Sequence, residues 1–295
     1  MSVEPLIAWV AAREALRKNK EENPLSFGTP NWTDDPILRE YRFCNVRRRD
    51  DRVSRWLRQH VLIGANLTVS FSAFIEFTAF CRWNNWPPVI AEIMKRGLYP
   101  VREIDWCAVA SMINQYRTKH KKAWTGAYMI NAKGCEKGKS KANFIAEQVI
   151  GKSVREAVPQ IEKALLTNSR REVWLVYNSI MNHGSFMSGQ IVDDLGYTVL
   201  LSGAKDTNTW APQGPGSLRG FNRLLGIPIK TRHNEGEWCT QLQIWRREII
   251  TALGKEYRDI TLMDCQNCLC EFFKYSKTQL GEGRPRSKYR PETAF

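Results

Sequence analysis

The apolar positions recur mostly at helical spacing along the chain. Leu6, Ile7, Val10, Ala11 and Leu16 form one face of a helix over Glu4–Arg17, and the polar residues 18–30, broken by Pro24, Gly28 and Pro30, predict a loop. Thr33 or Asp34 is placed to cap a second helix with Pro36 in its first turn and Ile37, Leu38, Tyr41 and Cys44 on its face; after a short polar turn, Asp50 or Asp51 opens a third. Leu67–Phe80 is apolar and aromatic with Glu76 inside it, the pattern of a core helix. Trp86-Pro87-Pro88 restarts the chain into Val89–Lys95, stopped by Gly97, and Ile104–Tyr116 is a further helix that runs into the basic stretch Arg117–Lys122. Trp124–Ile130 fits a strand or a helix equally well. Helical spacing returns over Phe144–Ile150, Pro159–Leu166, Arg170–Met181 and Ser185–Leu195, then around Leu242, Trp245, Ile249 and Leu253. It ends with Leu262–Tyr275, opened by Asp259 or Thr261. The expected fold is all-α, with residues 1–295 forming a single helical domain, in one body or two lobes, and a basic tail over 281–295.

One stretch departs from simple amphipathic patterning. Trp210-Ala211-Pro212-Gln213-Gly214-Pro215-Gly216-Ser217-Leu218-Arg219-Gly220-Phe221-Asn222-Arg223-Leu224-Leu225-Gly226 reads as a Gly-Pro-Gly hairpin followed by a short helix, with Ser217 as its N-cap and Gly226 as its stop. Gly189–Leu195 and Tyr197–Leu201 supply a helix ahead of it. Helix, glycine hairpin and helix over 185–226 is the layout of a helix-hairpin-helix, in which glycines admit a DNA phosphate to the N–H groups of the second helix. Gly214, Gly216, Ser217, Arg219 and Arg223 are the DNA-binding candidates there. A plain Gly-Pro turn between two core helices fits the stretch equally well.

Charge sharpens the nucleic-acid reading. Lys and Arg total 44 against 30 Asp and Glu, a net charge of +14, which suits a polyanionic partner more than it suits solubility alone. Arg284 and Arg286 in the tail and Lys139 in the loop Lys133–Lys141 join the DNA-binding candidates. That loop looks like a nucleotide-binding P-loop, but Gly134 and Gly138 enclose three residues where such a loop has four, so contact with DNA backbone suits it better than ATP. There is no signal peptide and no apolar run of membrane-spanning length, so no membrane partner is expected, and the eight cysteines lack framework spacing and read as reduced cytosolic thiols. Cys265, Cys268 and Cys270 lack the second ligand pair a zinc site needs, and His60, His120, His183 and His233 are scattered; no metal is expected.

Two kinds of residue carry candidate chemistry. Arg42, Arg47, Arg48 and Arg52, with Arg49 and Arg55 nearby, form a dense cluster fit either for a salt-bridged surface or for a phosphate or pyrophosphate clamp. Glu271 stands among Leu269, Cys270, Phe272 and Phe273, where a carboxylate is costly unless paired or used; a pairing with Arg or Lys and a role as general base are both open. Asp193, beside Asp194, is the second candidate base, with a solvated helix surface as its alternative.

Three motifs together resemble a known family. Trp32-Thr33-x-Asp35-Pro36-Ile37-Leu38 with Arg42-Phe43-x-Asn45-Val46-x-Arg48 and Asp51-Arg52 is similar to the helical domain attached to phage 5-hydroxymethyluracil DNA kinases. That domain without a kinase forms the alpha-glutamyl/putrescinyl thymine pyrophosphorylases, or amino acid:DNA transferases. Gly214-Pro215-Gly216-Ser217-x-Arg219-Gly220 and Asn267-x-Leu269-Cys270-Glu271-Phe272-x-Lys274-Tyr275 resemble that family's later motifs, and the resemblance runs from about residue 31 to 290. It implies a fold similar to helix-hairpin-helix DNA glycosylases and, as partner, double-stranded phage DNA carrying a pyrophosphorylated 5-methylene on a thymine-derived base in the host cytoplasm. It also implies an amino acid co-substrate, glycine first among the candidates, with no other cofactor. In that setting Arg42, Arg47, Arg48, Arg52 and Lys274 would hold pyrophosphate, and Glu271 or Asp193 would take the amine's proton. A glycosylase would need a Lys nucleophile or an Asp after the hairpin; Lys230-Thr231-Arg232-His233-Asn234-Glu235 stands there without the Asp. A non-catalytic DNA-binding module is the other alternative.

Overall fold

The computed structural model describes residues 2–23, 32–62 and 69–289. In chain order its helices are α1 (Glu4–Glu22), α2 (Pro36–Glu40), α3 (Arg52–Leu57, followed by a π turn over Arg58–Leu62), α4 (Phe71–Asn84), α5 (Pro87–Lys95) and α6 (Trp106–His120). Then come α7 (Lys141–Asn143), a π-helical stretch over Phe144–Val154, α8 (Arg155–Leu165), α9 (Arg170–Ser179), α10 (Gly184–Leu195), α11 (Pro215–Leu225), α12 (Glu235–Leu253) and α13 (Leu262–Gln279). No strand occurs among the described residues, only an isolated antiparallel bridge between Tyr41 and Lys288. No described helix is long and apolar enough to cross a membrane. The chain separates into two compact units. The first joins Met1–Asp51 to Thr207–Ala294 and so is made from both ends of the sequence; the second is Arg52–Asp206.

The second unit is organised by α4. Ser70 caps it by accepting from the Ala73 N–H (3.1 Å), and nearly every residue from Ala73 to Asn84 is buried. Phe77, Phe80 and Trp83 project from it into a core completed by Ile90 and Ile93 of α5, Val109 and Ile113 of α6, Val149 and Ile150 of the π stretch, and Ile191 and Leu195 of α10. Residues 67–68, part of the expected core helix, lie outside the described residues. Trp124–Ile130 is neither strand nor helix but a series of bends, tied to α4 by the Thr125 N–H donating to the Asn84 carbonyl (3.1 Å). Lys141 to Leu165 is continuous helix, with Pro159 inside α8. The basic loop before it follows no β-strand, so it lacks the strand–loop–helix frame that a P-loop requires.

The first unit is organised by α13, against which α1, α2, α11 and α12 pack. Of the two openings the sequence offers for α13, Asp259 and Thr261, the structure has Thr261, which caps the helix in a capping box with Asp264. The cap of α2 is Asp35, not Thr33 or Asp34: its Oδ1 accepts from the N–H groups of Ile37 (2.8 Å) and Leu38 (2.9 Å). α2 stops at Glu40, so Tyr41 and Cys44 sit on an extended segment beyond it.

The glycines of 214–220 have a packing role that the sequence reading did not anticipate. Gly214 is the N-cap of α11 and Ser217 its third residue, with the Gly214 N–H donating to Ser217 Oγ (3.1 Å). A Cβ on Gly216 would meet Cys270 Sγ at 2.4 Å, and one on Gly220 would meet the Leu269 carbonyl oxygen at 2.1 Å. These two glycines, one turn apart, let α11 lie directly on the backbone of α13. The expected helix-hairpin-helix is therefore not formed as a local motif. α10 belongs to the second unit and α11 to the first, and residues 196–214 between them are turns and extended chain, including the stretch 197–201 expected as helix.

Candidate active site

The first two motif stretches pack against α13, which carries the third, from opposite faces: residues 35–48 along Asp264, Asn267, Glu271 and Tyr275, and residues 214–220 along Gln266, Leu269 and Cys270. Tyr275 donates its hydroxyl to Asp35 Oδ2 (2.6 Å), the Cys44 N–H donates to Glu271 Oε2 (3.1 Å), and the Arg48 N–H donates to Asp264 Oδ1 (2.8 Å). Arg48 Nη1 also donates to Asn267 Oδ1 (3.3 Å), and Gln266 donates to Ser217 Oγ (2.8 Å). The rings of Phe43 and Tyr275 meet edge-on at 6.2 Å between centroids, and Trp9 of α1 meets Phe43 in the same way at 6.3 Å. The spacing of these residues on α13, from Asp264 through Asn267, Cys268 and Glu271 to Tyr275, is that of one helical stripe.

At the centre is Glu271. It is 2 % exposed, and its second oxygen accepts from Lys274, one turn on, whose side chain remains 40 % exposed. Burial is the largest influence on Lys274 and opposes its charge, but the Glu271 charge and hydrogen bond together with the neighbouring Cys44 and Cys270 raise the lysine above its ordinary range. Lys274 is thus a permanent cation. Burial, with the negative charge of Glu271 added, pushes the neighbouring Cys270 thiol up to about 11 and Cys44 well above the usual thiol range, so neither is a thiolate at neutral pH.

The segment carrying Cys44 is held from behind by Arg13, which no sequence signal singled out. Its Nε donates to the Cys44 carbonyl (3.0 Å), and its Nη2 donates to the Phe43 carbonyl (3.3 Å) and to Asn45 Oδ1 (2.5 Å). Asn45 is anchored in turn, its N–H donating to Asp51 Oδ1 (2.7 Å) and its amide to the Asp50 carbonyl (2.6 Å). The available clue was position: Arg13 falls on the inward face of α1 with Leu6, Trp9 and Val10.

The predicted arginines separate into different roles. Arg47 is buried, its guanidinium against both oxygens of Asp259 (2.8–3.1 Å), Glu14 (3.2 Å) and the Glu256 carbonyl (2.6 Å), and Arg49 also pairs with Asp259. Arg47 is therefore a brace between segments, not an open clamp. Arg48 is buried beside α13, Arg42 is exposed, and Arg52 begins α3 in the second unit. Asp193 also lies in the second unit. It is buried rather than solvated, with Tyr197 donating to its Oδ2 (3.0 Å) and Arg170 at 3.6 Å. Its neighbour Asp194 is paired with Arg82. Neither aspartate has the open surroundings that a proton acceptor for an incoming amine requires.

Of the DNA-binding candidates, Gly214, Gly216 and Ser217 are engaged in the α11–α13 contact. Arg219 is exposed, and it and Arg223 lie near the Phe273 ring (5.9 and 5.1 Å to the centroid); Arg223 pairs with Glu282. Arg284 and Arg286 are exposed on the tail, which is tied to the segment after α2. The Arg42 N–H donates to the Ser287 carbonyl (3.0 Å), the Tyr289 N–H to the Glu40 carbonyl (2.8 Å), and Lys288 pairs with Glu40 (2.9 Å). Lys139 is exposed in the second unit and pairs with Glu136 (3.1 Å). A cleft of about 800 Å³ between α1 and α12, lined by Ile7, Ala8, Ala11, Thr251 and Leu253 among others, contains none of the motif residues. No trio of His, Cys, Asp or Glu side chains is arranged to hold a metal among the described residues.

Residues 2–284 match the family described as 5-hmdU DNA kinase, helical domain. The chain belongs to that family. It is also similar to a 5-hmdU DNA kinase of Bacillus phage SP10, with 23 % identity over 260 residues, covering 83 % of this chain and 40 % of the relative. The chain thus spans less than half the length of that kinase. No solved structure matches it. The motif residues on α13 all fall inside the matched span.

Proposed function

We propose that the protein is an amino acid:DNA transferase. The α-amine of an amino acid, glycine first, attacks the exocyclic methylene carbon of 5-pyrophosphoryloxymethyl-deoxyuridine in double-stranded DNA. A C–N bond forms, the C–O bond to pyrophosphate breaks, and pyrophosphate leaves with the bonding electrons. What carries this reading is the buried Glu271 carboxylate set between a backbone N–H and a cationic Lys274 that reaches solvent. Glu271 takes the proton lost by the attacking amine. Lys274 and the exposed Arg42, with Arg48 behind them, offset the charge that develops on the leaving pyrophosphate. Arg47 acts only by fixing the segment that carries them. Turning the base out of the duplex would bring its methylene to this face.

A second reading is favoured by one observation. The relative is a kinase and this chain spans 40 % of it, so the helical domain alone would recognise modified DNA while another polypeptide does the chemistry. One experiment separates the two. The protein is incubated with duplex containing 5-pyrophosphoryloxymethyl-uracil and a pool of amino acids, and pyrophosphate and nucleoside mass are measured. The transferase releases pyrophosphate in equal amount to a nucleoside heavier by one amino acid residue. Glu271→Gln then lowers turnover by about 10²–10⁴. Binding without release, for every amine offered, removes the transferase reading, and full turnover by a folded Glu271→Gln removes Glu271 as the base.

A further inference from the structure

The second unit carries a concentration of charge that the proposed chemistry does not use. Between Arg117 and Lys141 the chain holds eight lysines and arginines and one glutamate, Glu136, which pairs with Lys139. The structure gathers the two ends of this stretch. Asn114 of α6 donates to Asn143 Oδ1 at the start of the long helix (3.1 Å). The end of α6 (Arg117, Lys119) with Lys121 and Lys122 therefore lies beside Lys141, two residues on from Lys139 at the end of the loop. The approach is close enough that Lys141, lowered first by burial, is lowered further by the charge of Arg117.

A helix C-terminus favours cations in its last turn, and this accounts for Arg117 and Lys119. It does not account for the lysines brought in from the loop after it. Like charges drawn together repel, so their gathering is costly unless a polyanion offsets it. Two are moreover held in place by aromatic rings: Lys122 Nζ lies 3.5 Å from the centroid of Trp86, and Lys141 Nζ 5.1 Å from that of Trp124. The indole faces are covered by lysine and so are not platforms for stacking bases. The surface is suited to a regular line of phosphates.

We propose that this face of the second unit, formed by Arg117, Lys119, Lys121, Lys122, Lys137 and Lys139, is a sequence-independent binding surface for the phosphate backbone of double-stranded DNA. It rests on the reading that duplex DNA is the substrate and adds a grip on the duplex separate from the Glu271 site. Backbone contacts of this kind set orientation and encounter rate and carry no sequence information.

The test uses the full chain and a duplex of ordinary, unmodified sequence, followed by fluorescence anisotropy across a series of NaCl concentrations. The variant K119Q/K121Q/K137Q/K139Q is compared with K95Q/K152Q/K163Q/K205Q, which removes the same charge from exposed positions elsewhere in the unit. Each lost phosphate contact reduces the slope of log K against log salt by about 0.9, so the patch variant is expected to lose up to about 3.6 in slope while the control retains the native value. Equal losses in the two variants, no duplex binding by the native chain at low salt, or tighter binding of single-stranded than of duplex DNA by the native chain each overturn the proposal. If the four-fold variant melts early, K137Q/K139Q, confined to the loop, gives the same comparison at half the expected slope change. Because the duplex is unmodified, this result does not depend on base chemistry. Failure of the transferase reading shows instead as no pyrophosphate release by the native protein.

Discussion

In the second unit Asp194 is fully buried, and Arg82, which pairs with it, is buried to the same depth. Ser54 and Asn85 accept from two more of its guanidinium donors at 2.8 and 3.2 Å. In the first unit Glu271 is as deeply buried, but its partner Lys274 leaves 40 % of its side chain in solvent. Both carboxylates sit on helices at the centre of their units. One is closed off by a buried partner, and the other faces a partner that reaches solvent. A closed pair holds a fold together, whereas an open one gives a solute access to a buried carboxylate, and that is why Glu271, not Asp193 or Asp194, carries the chemical reading.

The largest expected effect tests this contrast. Asp194→Ala leaves the Arg82 guanidinium buried without its counter-charge and is expected to cost about 3–5 kcal/mol in denaturant unfolding. Lys274→Gln also takes a counter-charge from a buried carboxylate, but here the lost partner reached solvent and Gln can still donate, so the expected cost is smaller, about 1.5–3 kcal/mol. Equal costs would break the comparison and make Lys274–Glu271 a structural staple of the same kind.

The units also differ in how their helices meet. Around α4 large side chains interlock: Phe77 and Tyr99 stack at 3.7 Å between centroids, and Phe80 meets Trp106 at 5.3 Å. On α13 the contact is made by absence of side chain, at Gly216 and Gly220. Gly220→Ala would force a Cβ against a helix carbonyl oxygen that cannot yield, at an expected cost of about 1–3 kcal/mol. At Gly216 the obstacle is the Cys270 thiol, so Gly216→Ala should be partly rescued by Cys270→Ala, with a coupling of about 0.5–3 kcal/mol in a double-mutant cycle. Additive behaviour of that pair would show that α11 does not rest on α13 at this point.

The legible part of the fold was whatever helical periodicity and caps specify. Leu6, Val10 and Leu16 of α1 and Leu242, Trp245 and Ile249 of α12 are buried as their spacing predicts, α4 is the core helix its apolar run predicts, and Thr261 is one of the two openings offered for α13. The division into units was not legible, because the first is assembled from both ends of the chain and no local pattern records that α1 and α13 meet. The same limit explains the glycines. Gly214-Pro215-Gly216 signals close approach of backbone to something, but a phosphate and a neighbouring helix make the same demand, and only the fold shows that the neighbour is α13. For the site, Glu271 was visible as a charge among apolar residues. Its dependence on Cys44 and Arg13 was not, since those contacts run through backbone atoms and a sequence shows only side chains. Asp193 looked solvated because two adjacent acids suggest a surface, yet Arg170, Tyr197 and Arg82 reach both from elsewhere in the unit.

The smallest expected effect separates two lysines within the first unit. For Lys274 burial is opposed by several neighbours, Glu271 foremost, and the lysine is raised, whereas Lys20 has burial and the charges of Arg13 and Arg42 acting together and is lowered to about 7. The rings of Tyr289 and Trp32, 3.6 and 4.9 Å from Lys20 Nζ, favour its charged form, by about 0.5–1 kcal/mol for such contacts, too little to reverse the direction. The sign of the consequence follows by linkage. Between about 7 and the ordinary 10.5 the unfolded chain holds a proton on Lys20 that the folded chain has released, so folding stability rises with pH through that window and the full cost of charging Lys20 is felt below about 7. Lys20→Met is therefore expected to stabilise the protein at pH 6 and to lose that advantage by pH 10, read from urea unfolding of both proteins at the two pH values. Destabilisation of equal size at both would mean that the aromatic contacts govern Lys20. The predicted outcome leaves Lys274, raised rather than lowered, as a cation beside Glu271 at neutral pH, as the proposed departure of pyrophosphate requires.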